Sequence, residues 1–141
     1  MFEVFDSEAS KRKKGHLKNL VSLAKLDGHV TQEELGFLVK VGARNEISES
    51  EIRKMLTSAS VVKVFTPHTD AERFEIIYDL IEMILADGII EDTELEFAID
   101  FCDKLGFRPA ISGVLVRKIA TDLVEGKSKQ HIHEKVKGFI K

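Results

Sequence analysis

With 141 residues, 43% of them hydrophobic and 32% charged, the chain has enough apolar surface for one ordinary domain and enough charge to solvate it. A formal net charge of −3 argues against nucleic acid as the main partner, because phosphate binding draws on a surplus of Lys and Arg. A single cysteine, Cys102, excludes an internal disulfide and a thiolate metal cage, and no run approaches the roughly 18 apolar residues of a membrane span.

The chain opens on MFEVFDSEAS followed by Lys11, Arg12, Lys13 and Lys14, so apolar residues precede the charges. A secretory signal has the reverse order, and a cytoplasmic protein without membrane insertion is expected. The basic cluster continues to His16 and Lys18 without interleaved aromatic residues, a poor platform for nucleic acid. It could equally offset acidic charge within one molecule or between two. Leu17, Leu20, Val21 and Ala24 then recur at the spacing of an amphipathic helix. Asp27-Gly28 stops that helix, since glycine reaches the left-handed conformation of a C-cap at little steric cost. Thr31 and Glu34 have the spacing of a capping box and open a second helix, with Leu35, Leu38, Val39 and Gly42 on its buried side. Ser48 and Glu51 form another box, opening a third helix through Ile52, Met55 and Leu56.

Residues 60–70, SVVKVFTPHTD, read as an apolar connector that packs. Beyond it helices are expected from about Asp70 to Ala86, from about Asp92 to Leu105 and from Pro109 onward, proline being tolerated in a first helical turn. Cys102 falls in an apolar stripe with Ile99, Phe101 and Leu105 and reads as a small core residue. A last helix begins near Ser128 and carries Ile132, Val136, Phe139 and Ile140. The fold class expected is all-α, a compact bundle of about seven helices.

Two segments match without a gap. HLKNLVSLAKLDGHVTQEELGFLVKVG lies over IIYDLIEMILADGIIEDTELEFAIDFC at a constant offset of 60 residues, so that Asp27 meets Asp87, Gly28 meets Gly88, Glu34 meets Glu94 and Phe37 meets Phe97. The chain therefore reads as an internal duplication with pseudo-two-fold symmetry: one copy at about 16–59, a connector at 60–69, a second copy at about 70–120, and a C-terminal helix at about 128–140, together one domain over 1–141.

At the repeated turn, LAKLDGHVTQEEL and ILADGIIEDTEL resemble the Asp-Gly signature of TerB-like domains, from about His16 to Ala120. The resemblance implies an all-α bacterial protein of the stress-response or tellurite-resistance class, binding a metal or a protein through acidic surface residues. No J-domain or transmembrane anchor accompanies the match, so a co-chaperone role is not carried over. The first copy departs from the pattern with Lys25 and Leu26 before its Asp-Gly, where the second copy keeps Ala86.

The Asp-Gly turns also have the spacing of the second half of an EF-hand loop, through Glu34 and Glu94. The loop's first and third positions fall on Leu23 and Lys25 or on Met83 and Leu85, which excludes a conventional calcium loop. A shared site remains: Asp27, Glu34, Asp87 and Glu94, if symmetry brings them together, could hold Ca²⁺, Mg²⁺ or Mn²⁺. Set against it, each Glu closes a helix cap and each Asp suits a turn. From Asp79 to Asp103 there are nine acids and no Lys or Arg. Among them Glu91, Asp92, Glu96, Asp100 and Asp103 form a candidate face for a basic protein partner or for cations, or else a merely solvated face. His131 and His133 lie two apart and do not share a helix face, and His29 and His68 fall in loops, so a zinc site is not expected. Nucleophile-elbow, phosphate-loop and zinc-protease motifs are absent. The leading expectation is a non-enzymatic binding domain. The alternatives are a metal-dependent hydrolase using the four carboxylates and a structural dimerisation unit, the latter favoured by an exposed apolar patch on the last helix.

Overall fold

The computed structural model describes residues 7–25, 29–57 and 69–140, and at Asp87, Phe139 and Ile140 it describes the backbone alone. Among the described residues the chain is all-α. Seven α-helices occur: α1 (Glu8–Ala24), α2 (Gln32–Arg44), α3 (Glu49–Thr57), α4 (Asp70–Ile84), α5 (Asp92–Lys104), α6 (Pro109–Val124) and α7 (Lys129–Ile140). A short 3-10 turn, Leu85–Asp87, comes after α4. The chain divides into two compact units, Met1–Val64 and Phe65–Lys141. The expected connector lies outside the described residues except for Thr69 and Asp70, where Thr69 caps α4 by accepting the Glu72 N–H at 3.1 Å.

Local chemistry sets the helix ends. Ser7 accepts the Ser10 N–H at 3.0 Å and starts α1. Thr31 and Glu34 make the full capping box at α2: the hydroxyl accepts the Glu34 N–H at 3.0 Å and the carboxylate accepts the Thr31 N–H at 2.9 Å. This reciprocal pair satisfies donors that an uncapped helix leaves orphaned. Ser48 and Glu51 cap α3 more loosely, at 3.2 and 3.5 Å. Pro109 occupies the first turn of α6.

In the first unit, α1 packs against α2 and α3, and α2 packs against α3. Leu17, Leu20, Val21, Leu38, Val41 and Ile52 are fully buried between them. The stripe that α2 buries is Phe37, Leu38, Val41 and Gly42, whereas Leu35 and Val39 are half-buried. Wedging between two partner helices turns α2 about its axis relative to the single stripe expected from spacing. In the second unit α6 is central, packing on α4, α5 and α7. Phe74, Ile77, Ile81, Phe101, Leu115 and Ile119 form its core. Cys102 is buried there, as expected, and burial pushes its thiol up to about 12.

The offset of 60 residues that aligns the two matching sequence segments also aligns the bounds of α2 with α5, and the starts of α3 and α6. The exits of α2 and α5 match too. Ile47 N–H bonds back to Gly42 C=O at 2.8 Å and Phe107 N–H to Cys102 C=O at 3.4 Å. Between them sit Glu46 at φ 62° and Gly106 at φ 100°. This is the left-handed exit that glycine adopts cheaply and glutamate does not.

Gly42 is the tightest point of the first unit. A Cβ there would lie 2.5 Å from Ile52 Cδ1 and 3.2 Å from Ile47 O, whereas Gly36 in the same helix has open space around it. Gly-to-Ala in a helix ordinarily gains up to about 1 kcal/mol. Gly36→Ala should show that gain in urea unfolding. Gly42→Ala should instead lose about 1 kcal/mol or more, because a fully buried Ile52 must shift.

Candidate functional site

The acidic helix of the second unit is positioned from its N-terminus. The 3-10 turn ends in Gly88 at φ 84°, whose N–H bonds to Leu85 C=O at 2.8 Å. Ile89 and Ile90 lead into α5, where Glu94 accepts the Glu91 N–H at 3.0 Å through Oε1. Glu94 is only 2% exposed. Its carboxylate is thus a buried part of the helix start, as the Glu34 carboxylate is part of the start of α2.

Of the four carboxylates considered for a cation, Asp27 lies outside the described residues, as does the side chain of Asp87. Glu34 and Glu94 are both engaged in caps, one in each unit. Among the described residues no group of three or more His, Cys, Asp or Glu side chains could hold a metal ion. His131 is exposed, and His133 stacks on Phe74 at 4.4 Å between ring centroids, fastening α7 to α4. Lys129 supports the same contact, bonded to Glu75 and lying 5.1 Å over the Tyr78 ring.

The candidate partner face is brought together. Asp92, Glu96, Asp100 and Asp103 fall at intervals of four, four and three residues and so share one side of α5, with Glu91 just before the first turn. Glu91, Asp92, Glu96 and Asp100 are exposed, and Asp103 is half-buried with Oδ1 shielded from solvent and taking no hydrogen bond. Asp92 and Glu96 make no ion pair with any described residue. The one cation on the helix, Lys104, leans over the Phe101 ring at 5.6 Å. Like charges one turn apart cost a helix about 0.2–0.5 kcal/mol per pair, so helix stability does not account for the row.

The basic cluster of α1 is partly used within its own unit. Lys14 pairs with Glu51 at 3.2 Å, while Lys11, Arg12 and Lys18 are exposed. Partial burial pushes the Glu51 carboxyl up, but the Lys14 ammonium and the Ser48 N–H outweigh it and hold the group below the usual carboxylate range.

Sequence reading missed an open groove of about 350 Å³ walled by Ile90, Leu95, Ala120 and Val124, with Arg117, Thr121 and Glu125 at its edges. A second hollow of about 270 Å³ continues past Val124 to Leu85, Gly88 and Glu82. Among the described residues the large exposed aliphatic residues are Ile89, Val114 and Val124, in the entry to α5 and on α6; of the last-helix apolar residues Ile132 and Val136 are buried, and the side chains of Phe139 and Ile140 lie outside the described residues. The signal was present in PAISGVLVRKIATDLV, but a helix so apolar reads as buried all round.

No family model matches the chain, and no curated protein or solved structure matches it either. No described helix is long and apolar enough to cross a membrane.

A carboxylate held below its ordinary value stabilises the fold above its unfolded pKa, and the contribution is lost as pH falls through the folded value. Lys14→Met should therefore raise the Glu51 carboxyl, tracked by ¹³C NMR, and remove that part of the acid-side dependence of stability. An unmoved titration would mean that the Ser48 cap alone holds it.

Proposed function

We propose that this chain is a non-enzymatic binding domain of the TerB-like stress-response class, acting in the cytoplasm, with the outer face of α5 as its docking surface. The observation that carries this reading is the row Asp92, Glu96, Asp100 and Asp103, gathered on one side of a helix at a cost to that helix. Concentrated negative potential draws a basic protein surface by long-range attraction and sets its orientation. The matching helix bounds in the two units support an origin by duplication, with the row elaborated only in the second copy: its counterparts in α2 are Gln32, Gly36, Lys40 and Ala43.

A protein partner is favoured over a divalent cation because Glu34 and Glu94 are committed to helix caps and the remaining acids lie along a helix side. A row at one-turn spacing meets another surface more readily than it converges on a point. The hydrolase alternative needs convergent carboxylates around an open position, and none are gathered among the described residues.

The test is a ¹⁵N-HSQC titration of the full chain with an oligolysine peptide, and separately with Mn²⁺. Peptide shifts should centre on α5 from Asp92 to Asp103 and weaken with salt. In the Asp92→Asn/Glu96→Gln variant affinity should fall about tenfold. A peptide that leaves α5 unmoved, or binds the variant equally well, would sink the proposal. Saturable Mn²⁺ broadening around Gly88 would make the cation the ligand instead.

A further inference from the structure

The two units carry opposite charge. Met1–Val64 holds 11 Lys and Arg against 9 Asp and Glu, whereas Phe65–Lys141 holds 10 against 15. Much of the positive charge is gathered on α1. Leu17, Leu20, Val21 and Ala24 turn one side of that helix into the core, while Lys11, Arg12, Gly15 and Lys18 are exposed. Lys14 is paired with Glu51, but Lys11, Arg12 and Lys18 make no ion pair with a described residue, and neither do Asp92 and Glu96 on α5. Among the described residues, each row thus lacks the counter-charge that the other carries.

The rows match in length and in position around their helices. Lys11 and Lys18 lie about 10 Å apart along α1 and within about 20° of each other around it. Asp92 and Asp100 lie about 12 Å apart along α5, with Glu96 midway and about 40° round from each. Both rows run up the middle of an exposed side, so two such helices laid alongside bring the charges face to face. With the helices parallel, Lys11 meets Asp92 and Lys18 meets Asp100, the flexible lysine stem taking up the difference of about 2 Å. Glu96 then lies over Gly15, where a Cβ would meet nothing within 4 Å and a second helix has room to approach. Glu8, the acid in the first turn of α1, falls level with Ile89, before the start of α5 and clear of the row.

We propose that the basic side of α1 docks on the acidic row of α5 in a second copy of this chain. The proposal rests on the reading of that row as a docking surface and names what docks there. Because each copy carries one row of each kind, the contact is heterologous. It links copies head to tail, in a ring or an open chain, rather than as a two-fold pair. Exposed lysine–carboxylate pairs are individually weak and screened by salt, so the association is reversible and falls with ionic strength.

Sedimentation equilibrium of the full chain at low salt tests it. The mass should rise with concentration from 15.9 kDa to twice that value and beyond, and return toward 15.9 kDa in high salt. K11E/K18E and D92K/E96K should each weaken association by about tenfold or more. An equimolar mixture of the two should recover it, since the unaltered α5 of one meets the unaltered α1 of the other. All four positions are exposed, and circular dichroism checks that each variant folds. A concentration-independent monomer mass for the original chain would overturn the proposal. So would a mixture no more associated than either variant alone. The K11E/K18E variant keeps α5 intact, so oligolysine should still shift the signals from Asp92 to Asp103. Oligolysine binding there, with an original chain that stays monomeric, overturns the proposal and leaves the docking surface standing. Oligolysine that leaves α5 unmoved overturns both.

Discussion

The reciprocal cap at the entry to α2, and the Glu94 bond at the entry to α5, set the register of the helices on which each unit is built. A helix begins where its first orphaned N–H groups find acceptors, and here a glutamate three residues in provides one. Once the start is fixed, the period of 3.6 residues fixes which side chains face the neighbouring helices. Moving the start of α5 by one residue would turn its faces by about 100°, carrying the acidic row toward the core. The same bond determines what those glutamates are able to do. A carboxylate that accepts a backbone N–H, and in Glu94 is almost wholly buried, is part of the scaffold rather than an available ligand.

The second unit is organised around α6, which touches three helices and leaves one side outward. Burial of Leu115, Val116 and Ile119 on the inward sides makes that helix rigid, so whatever the outer side carries is held in fixed register. Rigid placement is what helix–helix recognition needs, because ordering entropy has already been lost on folding. α7 completes the unit by an unusual fastening: an aromatic stack of His133 on Phe74, and a lysine shared between Glu75 and the Tyr78 ring. The acidic side of α5 and the outer side of α6, with its exposed Val114 and Val124, thus present different chemistry from one compact unit.

Capping boxes, proline in a first turn and left-handed exits involve residues within about five positions of each other, so Thr31, Ser48 and Pro109 announced helix starts without knowledge of anything distant. The seven helices and the buried Cys102 were legible for the same reason, and so was the shared side of Asp92, Glu96 and Asp100, since spacing along one helix settles it. Tertiary packing decided the rest. It turned α2 so that Phe37 and Val41 are buried and Leu35 and Val39 only half so, it buried Glu94, and it left Val114 and Val124 outward on a helix apolar enough to read as core. Burial is set by which elements come to lie alongside, a relation between residues far apart in the chain, and no local period contains it.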